Sequence, residues 1–163
     1  MTSPALSDVL MVSVEKHDFA EVVQHPVTGE KALCSLVAFK KGAVISSFSA
    51  KDILSIPTYL TVQTGEHTHI TLNPSYLQYI NHNCSPNIFF DTTNMQLIAL
   101  KQIEANEELT FFYPSTEWEM TQSFNCFCGS NKCLRTIKGA KYIPSHIIKE
   151  YRLTDFIKKQ LKK

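Results

Sequence analysis

Tyr79-Ile80-Asn81-His82-Asn83-Cys84-Ser85-Pro86-Asn87 packs Asn side chains, a His, a thiol and a Pro-fixed turn into nine positions. Such a run has the groups to bind a polar ligand, to coordinate a metal, or to force an unusual backbone path. The segments on either side of it read as strands. Two later segments complete it: Glu107–Tyr113, and the cysteine cluster Cys126–Cys133.

The chain that carries them has 163 residues, enough for one domain with a core of ordinary size. Hydrophobic residues make up 44% and charged residues 19%, a globular balance without disordered bulk. The net charge of +1 gives no whole-surface field, which argues against nucleic acid as a direct ligand. From Lys149 onward six Lys and Arg face two acids, and this excess reads as a solvated helix end. Met1–Val14 lacks the basic region and long apolar core of a secretory signal, and no run approaches the ~20 apolar residues of a membrane span. The expectation is an intracellular protein, cytoplasmic or nuclear, with no membrane partner. Five cysteines, an odd number, then argue for thiols or metal over a disulfide framework.

Working out from the nine residues, the first half reads as short strands. Val9–Val14, Phe19–Val23, Lys31–Phe39 and Ala43–Phe48 are separated by turns at His25–Gly29 and Lys41-Gly42. After Pro57, Tyr59–Gln63 and His67–Leu72 pair around Thr64-Gly65-Glu66. Asn73-Pro74-Ser75 opens a short helix with Asn as cap and Pro in its first turn. Asn87–Phe90 and Met95–Leu100 flank a hairpin turn at Asp91–Asn94. Glu108–Tyr113 is a further strand ended by Pro114. Beyond Trp118 the periodicity lapses into a cysteine-rich loop, and a helical pattern from Pro144-Ser145 breaks near Thr154. Many short strands with few helices predict a mostly-β fold of small sheets.

Cys126-Phe127-Cys128-Gly129-Ser130-Asn131-Lys132-Cys133 spaces three thiols as C-x-C-x4-C. A structural zinc site takes four Cys or His ligands in a tetrahedron, so the fourth comes from elsewhere in the chain. Cys84, Cys34 and His82 are the candidates. If it is Cys84, the metal pins the C-terminal segment onto the Asn81–Asn87 loop.

With these residues assembled, the chain resembles the SET-domain family of protein lysine methyltransferases, including its cysteine-rich post-SET segment. The family pattern R-F-x-N-H-S-C-x-P-N is matched by Gln78–Asn87, G-E-E-L-T-F-D-Y by Asn106–Tyr113, and C-x-C-x4-C by Cys126, Cys128 and Cys133. The likeness runs from about residue 31 to 139. It implies a near-minimal SET domain, a β-clip of small sheets with few short helices, followed by a C-terminal zinc-bound post-SET loop and a helix. The corresponding division is a SET domain over 1–120, a post-SET zinc segment over 121–143 and a helical tail over 144–163, all in one folded unit. The glycine pattern agrees. The five Gly residues include no G-x-G pair, so a Rossmann-type methyltransferase is a poor reading.

The resemblance also implies roles. S-adenosylmethionine is the methyl donor, and zinc is structural, with Cys84 joining Cys126, Cys128 and Cys133 as ligands. Tyr113 is the catalytic residue, its hydroxyl orienting the acceptor amine, and Phe111 occupies the position that sets product state. Asn81 and His82 bind the cofactor, with Lys31 and Ala32 at the position of the family's early G-x-G and Trp118 and Phe127 covering the adenine. The acceptor is a lysine-bearing protein or peptide, a histone among the candidates. The chain departs from the pattern at three places: Glu30-Lys31-Ala32 replaces G-x-G, Gln78 replaces Arg, and Phe112 replaces the acidic residue beside Tyr113. A small-molecule amine as acceptor, and a SET-like binding module without catalysis, are the alternatives.

Overall fold

The structure, a computed structural model, describes residues 10–163. The part of the N-terminal signal and strand readings that rests on residues 1–9 lies outside it.

Short apolar runs divided by turn residues fold into hairpins. The first three strands, β1 (Val12–Lys16), β2 (Ala20–Gln24) and β3 (Lys31–Ser35), form an antiparallel sheet in that order. β3 stops short of the Lys31–Phe39 expectation because Ser35 Oγ donates to the Val37 carbonyl at 2.6 Å and turns the chain. Phe39 is left with a single bridge to Ile103. Next come β4 (Val44–Ser47), β5 (Ser49–Leu54), β6 (Val62–Gly65) and β7 (Thr68–Asn73). β5, absent from the sequence reading, pairs with β7, which also pairs with β6. None of the β5 residues is fully buried, so it carries no apolar alternation that could reveal it.

A 3-10 turn over Ser75–Tyr79 leads into β8 (Asn81–His82), β9 (Ile88–Asp91), β10 (Gln96–Ala99) and β11 (Thr110–Phe111). The expected Asn73 cap is not formed. Pro74 is extended and precedes the turn, and the Asn73 amide donates instead to Ser49 Oγ at 3.2 Å. The hairpin around Asp91–Asn94 does form as β9 and β10. Asp91 Oδ1 accepts the amides of Thr93 and Asn94, closing the turn locally. β10 also pairs with β4.

β11 is shorter than the expected Glu108–Tyr113, since Tyr113 begins a 3-10 turn with Pro114. The cysteine-rich stretch holds one more hairpin, β12 (Phe124–Asn125) with β13 (Thr136–Ile137). The tail carries α1 (Ser145–Ile148) and α2 (Asp155–Gln160), broken at Thr154, whose hydroxyl accepts the Ile157 amide as an N-cap. The result is a mostly-β fold of small sheets with few short helices.

Two cores matter for the site. The larger one joins the sheets through residues such as Leu33, Phe90, Leu97 and Leu109. The second seats the tail, with Phe112 against Ala140, Ile148, Leu153 and Ile157. Phe112 stacks on Tyr151 at 3.7 Å between ring centroids, and the Tyr151 hydroxyl donates to the Cys84 carbonyl at 2.8 Å. Phe112 therefore has a packing reason for standing where the family pattern has an acid. At Gly139, with φ +116°, an added Cβ would lie 2.5 Å from the Trp118 carbonyl oxygen, so only glycine lets the tail approach this closely.

Candidate active site and thiol cluster

The sulfurs of Cys84, Cys126, Cys128 and Cys133 all lie within 4.8 Å of one another. Tetrahedral zinc with Zn–S bonds near 2.3 Å sets its sulfurs about 3.8 Å apart, so this donor set fits that ion. Cys84 and Cys126 are 4.0 Å apart, and the Leu134 amide donates to Cys84 Sγ at 3.4 Å. Burial pushes the Cys84 thiol up to about 11 and the Cys126 thiol higher still. For Cys128 burial acts upward too, but backbone and thiol hydrogen bonds outweigh it and bring the group to about 7. A divalent cation would compensate the negative charge of four neighbouring thiolates. Cys34 stands apart in β3, its thiol pushed up to about 11 by burial and by Glu108 and Glu21. Of the three candidates for the fourth place, Cys84 is the one in the sulfur group. His82 approaches from the side, its Nε2 3.3 Å from Cys84 Sγ.

The same loop is clamped to β11. β8 pairs with β11 in parallel, Asn81 opposite Thr110 and His82 opposite Phe111. Asn81 Nδ2 donates to the Lys31 carbonyl at 2.9 Å and to Glu108 Oε1 at 3.2 Å, tying the loop to β3. His82 Nδ1 accepts the Tyr113 amide at 3.1 Å, so the proton of the neutral ring sits on Nε2, toward Cys84. Burial holds that ring down at about 4, so it is uncharged at neutral pH. One imidazole thus links the thiol cluster to the backbone of Tyr113.

Asn87 ties the end of the nine-residue run to the 107–110 segment. It is buried, donating to the Glu108 carbonyl at 2.8 Å and Glu107 Oε1 at 3.1 Å and accepting the Thr110 amide at 2.8 Å. Asn87→Ala strands those groups, and a loss of about 2–4 kcal/mol in denaturant unfolding is expected. Asn83 does form a turn, accepting the Ser85 amide at 2.7 Å.

Two cavities of about 660 and 750 Å³ meet at Tyr113 and Phe124. The smaller is lined by Lys31, Asn81, His82 and Phe127, the last at its open edge with 86% of its surface exposed. The larger contains Phe111, whose ring lies 4.7 Å from that of Tyr113. Burial, then Glu117 and Glu108, push the Tyr113 phenol up to about 12, so it stays protonated and can donate or accept. Ala32 is buried in β3 and lines neither cavity, and Trp118 packs into the core beneath the tail, also outside both. The structure therefore separates these two from the other expected site residues. The expectation for Ala32 came from alignment to G-x-G and that for Trp118 from the aromatics of similar proteins, whereas the pleat turns Ala32 inward and the indole packs in the tail core.

Phe124 and Glu117 escaped the sequence reading, and Tyr79 entered it only as the first of the nine residues, with no role assigned. The Phe124 ring lies 5.6 Å from His82 and 5.8 Å from Tyr113, yet it sits where periodicity lapses, and only its nearness to Cys126 hinted at it. Lys31 Nζ lies 4.9 Å over the Tyr79 ring. Glu117 Oε1 accepts the Gln63 amide and the Thr116 hydroxyl, both at 2.9 Å, while Gln63 Oε1 accepts the Trp118 amide at 2.9 Å.

Burial pushes the Glu117 carboxyl up to about 7 from its ordinary 4.5. The folded state then holds more protons than the unfolded between those values, so stability falls as pH rises through that window. Glu117→Gln keeps the acceptor oxygen and removes the charge. It is expected to exceed the wild type by about 1–3 kcal/mol at pH 8 and to match it near pH 4 in paired thermal melts.

The model of the SET domain family matches residues 18–114. Methyltransferase flvH of Aspergillus flavus is 41% identical over 126 residues, covering 76% of this chain and 70% of that protein. The H3 lysine-36 specific histone-lysine N-methyltransferase of Saccharomyces cerevisiae is 29% identical over 87 residues, 50% of this chain but 12% of that protein. The methyltransferase domain of human histone-lysine N-methyltransferase SETMAR superposes with a TM-score of 0.50 at 15% identity, covering 81% of this chain and 59% of that one, a likeness of fold. Among the described residues, no helix is long and apolar enough to cross a membrane.

Proposed function

The chain belongs to the SET domain family of methyltransferases, and on that premise we propose that it transfers methyl groups from S-adenosylmethionine to the ε-amine of a protein or peptide lysine. The observation that carries this reading is that Tyr113 borders two cavities at once, one beside Asn81 and His82 and the other apolar and aromatic. Such an arrangement suits a reaction whose two partners enter separately and meet at one hydroxyl.

A lysine ammonium must lose a proton before it attacks, which at pH 7 costs about 4–5 kcal/mol from its ordinary pKa. Desolvation among Phe111, Phe124 and Tyr113 lowers that cost, as does the positive charge that the donor brings. In this reading the Tyr113 hydroxyl orients the amine lone pair. His82 fixes Tyr113 by accepting its amide, and Asn81, His82 and the Lys31 segment line the donor cavity, with Phe127 at its edge. Phe111 adds no second hydroxyl, which favours more than one methyl per lysine. Cys84, Cys126, Cys128 and Cys133 would hold zinc, which supplies a structural staple and no step of the reaction. The histone methyltransferase relatives support a protein acceptor and a nuclear setting.

A free small amine is a second acceptor class. It is favoured by the coverage: the relative matched over 70% of its length is named only as a methyltransferase, while the histone enzyme is matched over 12% of its own. Incubation with isotopically labelled methyl donor and cell extract, followed by mass spectrometry of proteins and of small molecules, decides between them. Label on lysine side chains is the expected result. Label only in the small-molecule fraction replaces the acceptor, and no transfer from the zinc-loaded protein to either fraction overturns the proposal.

A further inference from the structure

Among the described residues, the larger cavity has one acidic lining residue, Glu117, and no Lys, Arg or His. The rest of its wall is apolar, aromatic or neutral polar, including Leu72, Leu77, Phe90 and Phe124. Glu117 Oε1 is engaged twice, by the Gln63 amide and the Thr116 hydroxyl. Among the described residues no protein donor reaches Oε2, and Glu117 as a whole is only partly buried. A carboxylate facing an apolar cavity without a counter-charge is poorly solvated, and an entering cation relieves that.

We propose that Glu117 receives the ammonium group of the substrate in this cavity and takes its proton, delivering a neutral amine to Tyr113. The proposal rests on the methyl-transfer reading above and names a residue that this reading leaves unused. The substrate N–H bond breaks and its proton passes to the carboxylate, giving a carboxylic acid and a neutral amine. The nitrogen lone pair then forms the N–C bond to the donor methyl as the C–S bond breaks, and that electron pair stays on sulfur as a thioether. The methylated ammonium keeps the positive charge, and the carboxylic acid releases its proton to solvent.

The neighbours favour this role. The titratable side chains that share the cavity with Glu117 are the phenols of Tyr113 and Tyr59. From β6 the contact is the neutral Gln63. Lys141 and Glu119, which do not line the cavity, pair with each other at 3.0 Å. The raised proton affinity that burial gives Glu117 also brings it nearer to an amine than an ordinary carboxylate.

A purely structural role, in which Glu117 clamps β6 to the 116–118 segment, predicts a different outcome for Glu117→Gln, since Gln keeps the acceptor oxygen. The probe is n-butylammonium, with butan-1-ol as its neutral counterpart, titrated at pH 8 into zinc-loaded full-length wild type and Glu117→Gln. Binding is followed by NMR of ¹³C-carboxyl-labelled glutamate. The expected result is butylammonium binding that moves the Glu117 resonance and weakens about tenfold in the variant, as loss of a charge-assisted hydrogen bond predicts, with butan-1-ol indifferent to the change. Equal butylammonium affinity for both proteins, or a perturbation that leaves Glu117 unmoved, overturns the proposal. No methyl donor is present, so this result is separate from the methylation assay: transfer to lysine with an unmoved Glu117 removes this residue's role and leaves the reaction standing.

Discussion

Tyr113→Phe is expected to lower kcat by roughly 10²–10³-fold, as loss of one preorganised polar contact does, while affinity for S-adenosylmethionine changes little. The substitution is clean because the ring does the packing. Its neighbours are Phe111 at 4.7 Å, His82 at 5.2 Å and Phe124 at 5.8 Å, all ring to ring. The Tyr113 amide, which donates to His82 Nδ1, is backbone and survives the change. Only the hydroxyl of a residue that lines both cavities is lost. Calorimetry for the cofactor and labelled-methyl turnover, run on the same preparation, separate the two effects. A parallel loss of binding would assign Tyr113 to the cofactor wall and remove its role in the chemistry.

The second large effect is expected from the metal. A chelator should withdraw about one zinc per chain, and the segment holding β12 and β13 should lose its tertiary signal. Apparent zinc-binding free energies of about 10–16 kcal/mol exceed or match the whole stability of a domain, so zinc held by these four thiolates would be a principal restraint on a tail this short. The consequence reaches further than the loop. Tyr151 donates to the Cys84 carbonyl and stacks on Phe112, and His82 borders Cys84, so loosening Cys84 frees both the tail and the ring behind Tyr113. Cys84→Ser should therefore lose zinc in a colorimetric metal assay and unfold at lower temperature. Cys34→Ser should retain its metal. Zinc loss from Cys34→Ser and not from Cys84→Ser would refute the ligand assignment.

Local chemistry with its own punctuation was legible before any coordinates. The Asp91–Asn94 hairpin, the break at Thr154 and the thiol spacing all declare themselves within a few residues, because turn closure, N-capping and C-x-C geometry are local. Long-range assembly is not local. Nothing within Ser49–Leu54 marks it as a strand, because its pairing with β7 lies in the partner and its side chains are not buried. Asn87 beside Pro86 shows nothing local of its partners, Glu108 and Thr110, which lie 21 and 23 residues away. Glu117 is one more acid in a chain of fifteen until a cavity closes around it and strips the other charges away. Trp118, offered to the adenine by resemblance alone, packs against the core under the tail, a contact that nothing near it in sequence announces.

The most direct test of the whole account is calorimetric titration of S-adenosylhomocysteine into the zinc-loaded chain, the chelated chain and Asn81→Ala. The account predicts one site per zinc-loaded chain, about tenfold weaker binding after Asn81→Ala, and none once the metal is stripped. Failure of the zinc-loaded protein to bind, or binding indifferent to both Asn81 and the metal, would contradict it.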